Sequence, residues 1–542
     1  MGRMGGWRGG ITPPVPRSGA LPAGAGSALL FALALPPHPL PILLVPAFLL
    51  LAEAVRRLPR GRAGFRPGAR LGALFGALHS LLVLHWIPSA AWSHLGPMAP
   101  AAALGVWGLH AVVGMVVLGV VAAARVPRPL ALIPGWAVLV WLPGVVPILG
   151  VPWPGPELAL VEWPRAAALL PLLGSAGVGA LMAGAAAGLL ALGRAGIGVA
   201  LLVPLLWGLA EAGGEPGVPR SGGGEEEGGS RVALVEMAFP PAVVRDPPER
   251  EARILEAMSR RSPAGWDSEQ DPDRHRSAAL PEAWPEAPVP PPTPPHGVGT
   301  PAEDRYLSAL RARVEGRPIS LLSGSHVIRE GRRRNGVLRL EAGEGVQSVH
   351  EKRRLVPGVE RTAFLGAGRP GRGLAPGDRQ PPFSWAGRSV GALICFEILF
   401  PGEVARLRRE GAGLLLQLSN DSALDPDAGP FPVLLDAGRQ QHEAFLRARA
   451  TEFALPALRS VMGGRAGGWD ARGRALPELQ RWGDAELAFV VVRVPDAGPI
   501  PPAAWLSPLS GPVAATVLFL AFFFPGLPGA RRGPRMEQGP AP

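Results

Sequence analysis

Long apolar runs dominate the first 212 residues, and short loops that carry arginine separate many of them. Several runs reach the roughly 20 residues that an α-helix needs to cross the hydrocarbon core of a bilayer. The pattern therefore predicts a multi-pass α-helical membrane domain over residues 1–212, with about seven transmembrane helices, and one further transmembrane helix at 506–530. The predicted spans are 23–36, 41–55, 71–88, 100–124, 130–149, 167–192 and 196–211, followed by 508–527 near the C-terminus.

The arginines of the connecting loops predict the orientation of these spans. Every second loop is basic, whereas the loops at 37–40, 89–99 and 150–166 contain only Arg165. Cytoplasmic loops carry the excess of Lys and Arg in membrane proteins. We therefore expect the N-terminus, the basic loops and the basic tail at 531–542 to be cytoplasmic. Seven spans then place the region that follows them on the outer side.

The region between the last two apolar runs has a different pattern. Residues 213–230 are rich in Gly and Glu and predict a flexible linker. Residues 231–505 contain short apolar strands, such as 231–235 and 389–394, that alternate with helices such as 401–410. Strands that alternate with helices indicate a layered α/β fold.

Composition changes this picture in two ways. The net charge of +11 would suggest nucleic acid as a partner of a soluble protein, but much of the excess arginine lies in the loops between apolar runs, so we expect no nucleic-acid binding. Lys352 is the only lysine among the 54 basic residues, and Cys395 is the only cysteine. A lone lysine suggests a need for an amine that can lose its proton. A single cysteine excludes an internal disulfide.

Cys395 directly follows the predicted strand 389–394, where a buried strand can fix the sulfur and the next backbone N–H groups can face an oxyanion. A thiol nucleophile also needs a base and a nearby cation. Glu286, in the segment PEAWPEAPVP, and Lys352, in HEKRRLVP, are the candidates. From its own residues alone, Glu286 is more readily interpreted as a solvated loop carboxylate, and Glu282, four residues earlier, is an alternative acid.

These segments resemble those of the nitrilase, or carbon-nitrogen hydrolase, superfamily, and within it the apolipoprotein N-acyltransferase family. AWPEAPVP, HEKRRLVPGVE and ICFEILFP occur in the order of the glutamate, lysine and cysteine segments of that family. LLLQLSND at 414–421 and QHEAFLRARATE at 441–452 continue the order. The resemblance implies an α-β-β-α sandwich on the extracytoplasmic side of the membrane and a catalytic triad of Glu286, Lys352 and Cys395. It also implies supporting roles for Glu360, Phe396 and Glu397.

The resemblance further implies a two-step acyl transfer without metal or other cofactor. The expected acyl donor is a membrane phospholipid, and the acceptor is the N-terminal amine of a diacylglyceryl-cysteine apolipoprotein. The expected location is the cell inner membrane, with the catalytic domain in the periplasm. Two alternatives remain open, a membrane-tethered amidase that uses water as the acceptor and a non-catalytic homologue that binds lipoproteins. The second gains support from the altered segment after Asp421. Segments 422–440 and 463–470 both depart from the family pattern, and they leave open whether substrate or activity is changed.

Overall fold

In the computed structural model, the predicted span 196–211, the tail 531–542 and all but the last two residues of the predicted linker 213–230 lie outside the described residues. The structure describes residues 19–38, 40–124, 126–146, 150–193, 229–240, 243, 246–259, 280–286, 301–315, 319–361 and 373–523.

The N-terminal part is a bundle of apolar helices. Among the described residues, four helical stretches are long and apolar enough to cross a membrane, namely Ile87–Ala123, Arg128–Val145, Leu170–Ala191 and Ala503–Phe523. The helices are α1 (Ala20–Ala34), α2 (Leu44–Arg56), α3 (Arg62–Val83), α4 (Ile87–Leu95), α5 (Ala99–Ala123), α6 (Arg128–Val145) and α7 (Leu170–Ala191).

Glycines spaced four residues apart bring α3 and α5 close together. Gly68, Gly72 and Gly76 lie on one face of α3, and a Cβ atom at Gly72 would overlap the carbonyl group of Gly114 on α5. Small residues at this spacing let two helix backbones approach within the membrane, where no hydrophobic effect drives helices together. This packing fixes the position of α4, which lies between the two helices in the chain.

The second part is built on β-strands. The strands are β1 (Ser230–Met237), β2 (Glu282–Trp284), β3 (Ser320–Arg329), β4 (Arg332–Glu341), β5 (Gln347–Glu351), β6 (Phe383–Trp385), β7 (Arg388–Ile394), β8 (Leu414–Asn420), β9 (Ala457–Met462), β10 (Gly467–Trp469), β11 (Glu478–Gly483) and β12 (Leu487–Val494). Their order is β5-β4-β3-β2-β1-β9-β8-β7-β6, with β12 on β1, β11 on β12 and β10 on β9. Pairing is parallel from β7 through β8 to β9, and antiparallel among β3, β4 and β5.

The two ends of this strand order face each other. The indole N–H of Trp385 on β6 donates to the carbonyl of Ser320 on β3 at 3.3 Å, and Arg339 on β4 donates to the Ser384 carbonyl at 3.0 Å. A buried apolar core fills the space between the two layers, with residues such as Leu322 and Leu416. This geometry, with helices on both outer faces, confirms the predicted α-β-β-α sandwich.

Different helices cover the two outer faces. Helices α8 (Pro247–Ser259) and α9 (Pro301–Val314) pack on one face through a small separate core. Helices α10 (Pro401–Arg409) and α11 (Ala437–Phe453) cover the other face, and their buried side chains belong to the same core as the membrane helices. The last helix, α12 (Ala503–Phe523), packs against α6, α7 and α10. The sandwich is therefore packed directly onto the helical bundle.

A buried ionic cluster lies at this junction. Arg449 on α11 pairs with Glu452 and lies 3.7 Å from Glu157, which begins a short helical turn (Glu157–Leu160) before α7. Glu452 in turn accepts from the hydroxyls of Ser175 on α7 and Ser507 on α12, each at 2.7 Å. Buried charges are costly unless each has a partner, so separating the two parts would leave these groups unpaired. The cluster therefore holds α11 at one position relative to the membrane helices.

Candidate active site

Glu286 lies just beyond β2 and is 6% exposed, so it is not a solvated loop carboxylate. Its Oε1 accepts from Lys352 Nζ at 3.0 Å and from Asn335 Nδ2 at 2.7 Å, and its Oε2 accepts from the backbone N–H of Asn420 at 3.0 Å. The donors come from within β4, from the residue after β5 and from the end of β8, and together they fix the carboxylate. Glu282, the alternative acid, instead forms a buried bidentate pair with Arg313 and is structural.

Lys352 follows β5 and is 1% exposed. Its Nζ lies between two carboxylates, 3.0 Å from Glu286 and 2.9 Å from Glu360. Burial alone would lower the pKa of Lys352, but the two carboxylates outweigh it and hold the pKa well above its usual range. The resting side chain is therefore an ammonium, in contrast to the expectation of an amine that loses its proton. This ammonium is compact and has three donor hydrogens.

Cys395 directly follows β7 and begins a short 3₁₀ turn, Cys395–Leu399. Its φ of 48° lies in the left-handed region, which costs a non-glycine residue on the order of 1–3 kcal/mol. Burial, together with the negative charge of Glu286, raises the pKa of the thiol well above its usual value, and Lys352 only partly offsets this. The thiol is therefore protonated at neutral pH and needs a base to become a nucleophile.

The three predicted supporting residues lie around these groups. Glu360 accepts from Lys352 and from the Val356 backbone N–H at 2.8 Å. Phe396 is half-buried, with its ring edge-to-face on Phe400 at 5.2 Å. Glu397 connects the lysine and cysteine segments, and its four donors are the Ile394 N–H (2.9 Å), His350 Nε2 (2.8 Å), the Arg353 N–H (2.8 Å) and the Arg354 N–H (3.3 Å).

We expect Glu397→Gln to destabilise the chain by about 3–5 kcal/mol, because the amide removes the charge that pairs with His350 in a buried site. Burial would raise the pKa of Glu397, but His350 and the backbone donors lower it from 4.5 to about 2. A lowered pKa stabilises the fold above pH 4.5, and the contribution is lost as the pH falls toward 2. Thermal unfolding in detergent should show a stability gap between wild type and variant that narrows over this range. A gap that does not change with pH would contradict the role given to the carboxylate.

A second group of polar side chains beside Cys395 was not assigned roles from the sequence. His442 Nδ1 lies 2.9 Å from Asp421 Oδ1, and Asp421 also pairs with Arg459. His442 Nε2 lies 2.9 Å from Gln417 Nε2 and 3.1 Å from the Cys395 carbonyl oxygen. The segments SND and QH contain two of these residues, but only a resemblance pointed to them.

Cys395, Asp421 and His442 also form the group of possible metal ligands found among the described residues, with donor atoms within 4.8 Å of one another. Asp421 is already engaged by the guanidinium of Arg459, which would repel a cation at the same carboxylate. Burial would raise the pKa of Asp421, but Arg459 and His442 hold it well below its usual range. The arrangement therefore fits a hydrogen-bond chain better than a metal centre.

The two departing segments lie at the rim of this site. Segment 422–440 packs on the connection between α3 and α5, where the Phe431 ring meets Trp92 edge-to-face at 5.7 Å and the Leu434 N–H donates to His85 at 3.0 Å. Segment 463–470 follows β9 and includes β10, and Gly463 packs against Ser422. The hydrogen bonds described for Glu286, Lys352 and Glu360 come from other segments, at Asn335, Lys352, Val356 and Asn420.

Sequence comparisons match two parts of the chain to known families. Residues 27–188 match the family described as apolipoprotein N-acyltransferase N-terminal domain, and residues 284–494 match carbon-nitrogen hydrolase. An apolipoprotein N-acyltransferase of Brucella suis is 27% identical over 431 residues, which cover 73% of this chain and 75% of that protein. The one from Bradyrhizobium diazoefficiens is 30% identical, but that match spans only 27% of either chain.

Solved structures were also compared. An amidase of the nitrilase superfamily from Nesterenkonia is 20% identical, with a TM-score of 0.31, over 50% of this chain and 94% of the amidase.

Proposed function

The chain belongs to the apolipoprotein N-acyltransferase family, and from that premise we propose that it transfers an acyl chain from a membrane phospholipid to a lipoprotein through a thioester on Cys395. The acceptor in this proposal is the N-terminal amine of a diacylglyceryl-cysteine apolipoprotein. The observation that carries the proposal is the buried contact of Glu286 with Lys352 beside the sole cysteine.

In the first half-reaction, Glu286 takes the proton from the Cys395 thiol, and the sulfur attacks the ester carbonyl of the phospholipid. Lys352 and the backbone N–H of Phe396 stabilise the negative charge on the carbonyl oxygen. The ester C–O bond then breaks, and the leaving alkoxide takes the proton back from Glu286. The products are a lysophospholipid and an acyl group bound to Cys395 as a thioester.

In the second half-reaction, the α-amine of the lipoprotein attacks the thioester carbonyl. Glu286 takes a proton from the amine, the C–S bond breaks, and the proton returns to Cys395. The result is an amide on the lipoprotein and a free thiol. One carboxylate can act as the base in both steps because Glu286 is deprotonated at the start and at the end of each step.

The contact between the sandwich and the helical bundle supports a role for the membrane part. Both proposed substrates lie in a bilayer, and moving an acyl chain into water would cost about 0.8 kcal/mol per CH₂ group. A catalytic site packed on membrane helices can meet both lipids at the bilayer surface. We propose that this surface is the periplasmic side of the cell inner membrane, as the arginine distribution predicts.

Intact-mass spectrometry of the full chain from membranes tests the proposal. We expect an acyl adduct on Cys395 after incubation with phospholipid, and loss of the adduct, with acylation of the peptide, when a diacylglyceryl-cysteine peptide is added. The Cys395→Ser variant is the control and should form no thioester adduct. An adduct that water removes as fast as the peptide does would favour an amidase. No adduct under any condition would favour a non-catalytic lipoprotein-binding homologue.

A further inference from the structure

The carbonyl group of Cys395 is held from one side by two buried side chains. Gln417 Nε2 lies 3.3 Å from the carbonyl oxygen, and His442 Nε2 lies 3.1 Å from it. Gln417 is on β8 and is fully buried, whereas His442 is on α11 and is 5% exposed. Side chains from two different elements therefore contact the same backbone carbonyl, that of Cys395.

Asp421 and Arg459 fix the His442 ring in turn. Ionised Asp421 can only accept, so His442 Nδ1, at 2.9 and 3.1 Å from its two oxygens, carries a hydrogen. In the neutral ring, Nε2 then accepts one hydrogen of the Gln417 amide at 2.9 Å, and the second amide hydrogen goes to the Cys395 carbonyl. In a protonated ring, Nε2 donates to that carbonyl directly. The carbonyl is anchored in both cases.

The direction of this carbonyl decides the direction of the next N–H group. The amide plane that joins Cys395 to Phe396 is rigid, and the C=O and N–H of a trans peptide point in opposite directions. Holding the carbonyl on Gln417 and His442 therefore turns the Phe396 N–H away from them. This matters because Cys395 has a left-handed φ of 48°, a conformation that the surrounding contacts must maintain.

We infer that Asp421, His442 and Gln417 act as positioning residues that lock the Phe396 N–H in the orientation needed to stabilise the oxyanion. The inference rests on the proposed acyl transfer, in which that N–H is an oxyanion donor. It gives His442 no direct part in removing the thiol proton, which remains with Glu286.

Two reactions of the sole cysteine separate these roles. Acylation of Cys395 by an ester passes through an oxyanion, whereas alkylation by iodoacetamide needs the thiolate but forms no oxyanion. We expect His442→Ala in the full-length protein to lower the rate of acylation by p-nitrophenyl butyrate about 100-fold, the typical effect of losing one oxyanion donor. The alkylation rate should change by less than about threefold at each pH, because alkylation forms no oxyanion.

Further variants make the result decisive. His442→Gln retains an amide that can hydrogen-bond to Gln417 or the carbonyl, and it should recover at least one tenth of the wild-type acylation rate. Gln417→Met removes the amide donor and has a similar volume, so it should also slow acylation while leaving alkylation nearly unchanged. This variant tests the inference even if His442→Ala does not fold. Gln480→Met, at an exposed position on β11, is the matched control for Gln417→Met and should leave both rates unchanged.

Equal losses of acylation and alkylation in folded His442→Ala and Gln417→Met would overturn the inference, because the residues would then act on the sulfur itself. Unchanged acylation would also overturn it. Wild-type protein that reacts with the ester but not with phospholipid would contradict the proposed function and leave the positioning role standing. Wild-type protein that no ester acylates would overturn both.

Discussion

Replacing Lys352 by arginine should lower the rate of Cys395 acylation about 1,000-fold, although the positive charge is retained. The Lys352 ammonium lies within 3.0 Å of two carboxylates in a site where its side chain is 1% exposed. A guanidinium is larger and planar, and its charge is spread over a rigid fork that cannot occupy the position of a single compact nitrogen. It would displace Glu286 from the thiol and move the positive charge away from the oxyanion.

Rapid-quench measurement of the acyl-enzyme by intact-mass spectrometry checks this prediction. Arg354→Lys is the matched control, since it exchanges the same two residue types two positions away, where the Arg354 side chain is 44% exposed. We expect this control to keep most of the wild-type rate. If Lys352→Arg retained more than one tenth of the wild-type rate, the role proposed for the ammonium would be wrong.

The fold was largely predictable because its signals are local. Apolar runs predicted the helical bundle, and the strand that ends before Cys395 was expected at 389–394 and is observed as Arg388–Ile394. The helix expected at 401–410 is observed as Pro401–Arg409. Each of these elements depends on a continuous pattern of side chains, which a single sequence displays.

The closure of the site was less predictable because it depends on contacts between distant segments. The prolines around Glu286 indicated a loop residue. The sequence near it does not show that Asn335 and Asn420 donate hydrogen bonds to it from other strands. The pKa of Lys352 is raised by two carboxylates whose proximity the sequence alone does not reveal. Only the order of segments shared with a known family indicated that these groups would meet.

The junction with the membrane bundle was not predicted at all. Arg449 and Glu452 lie in a segment quoted for its resemblance, but their partners Ser175 and Ser507 come from helices that look uniformly apolar. The sequence around a serine within an apolar run does not indicate that its hydroxyl will contact a charged side chain. The same holds for Gly174, whose φ of 70° lets α7 bend beside Glu452.

Glu286→Gln should have opposite effects on the two reactions of Cys395. Loss of the base should lower the acylation rate about 1,000-fold, within the 10²–10⁴ range for general acid–base catalysis. Alkylation by iodoacetamide at neutral pH should become faster. After burial, the charge of Glu286 is the largest cause that raises the pKa of the thiol, whereas Lys352 lowers it. Removing the carboxylate leaves the effect of Lys352 less opposed, so the thiol pKa falls and more thiolate is present at pH 7.

The pH dependence of the alkylation rate measures this directly, because Cys395 is the only cysteine in the chain. The midpoint of the profile should move to lower pH in Glu286→Gln and remain in place in Glu344→Gln, an exposed control. A midpoint that moves to higher pH would mean that the carboxylate stabilises the thiolate rather than opposing it. Slower acylation together with faster alkylation would separate two effects of Glu286. Its negative charge disfavours the thiolate in the free enzyme. As a base, it removes the thiol proton while the sulfur attacks the ester.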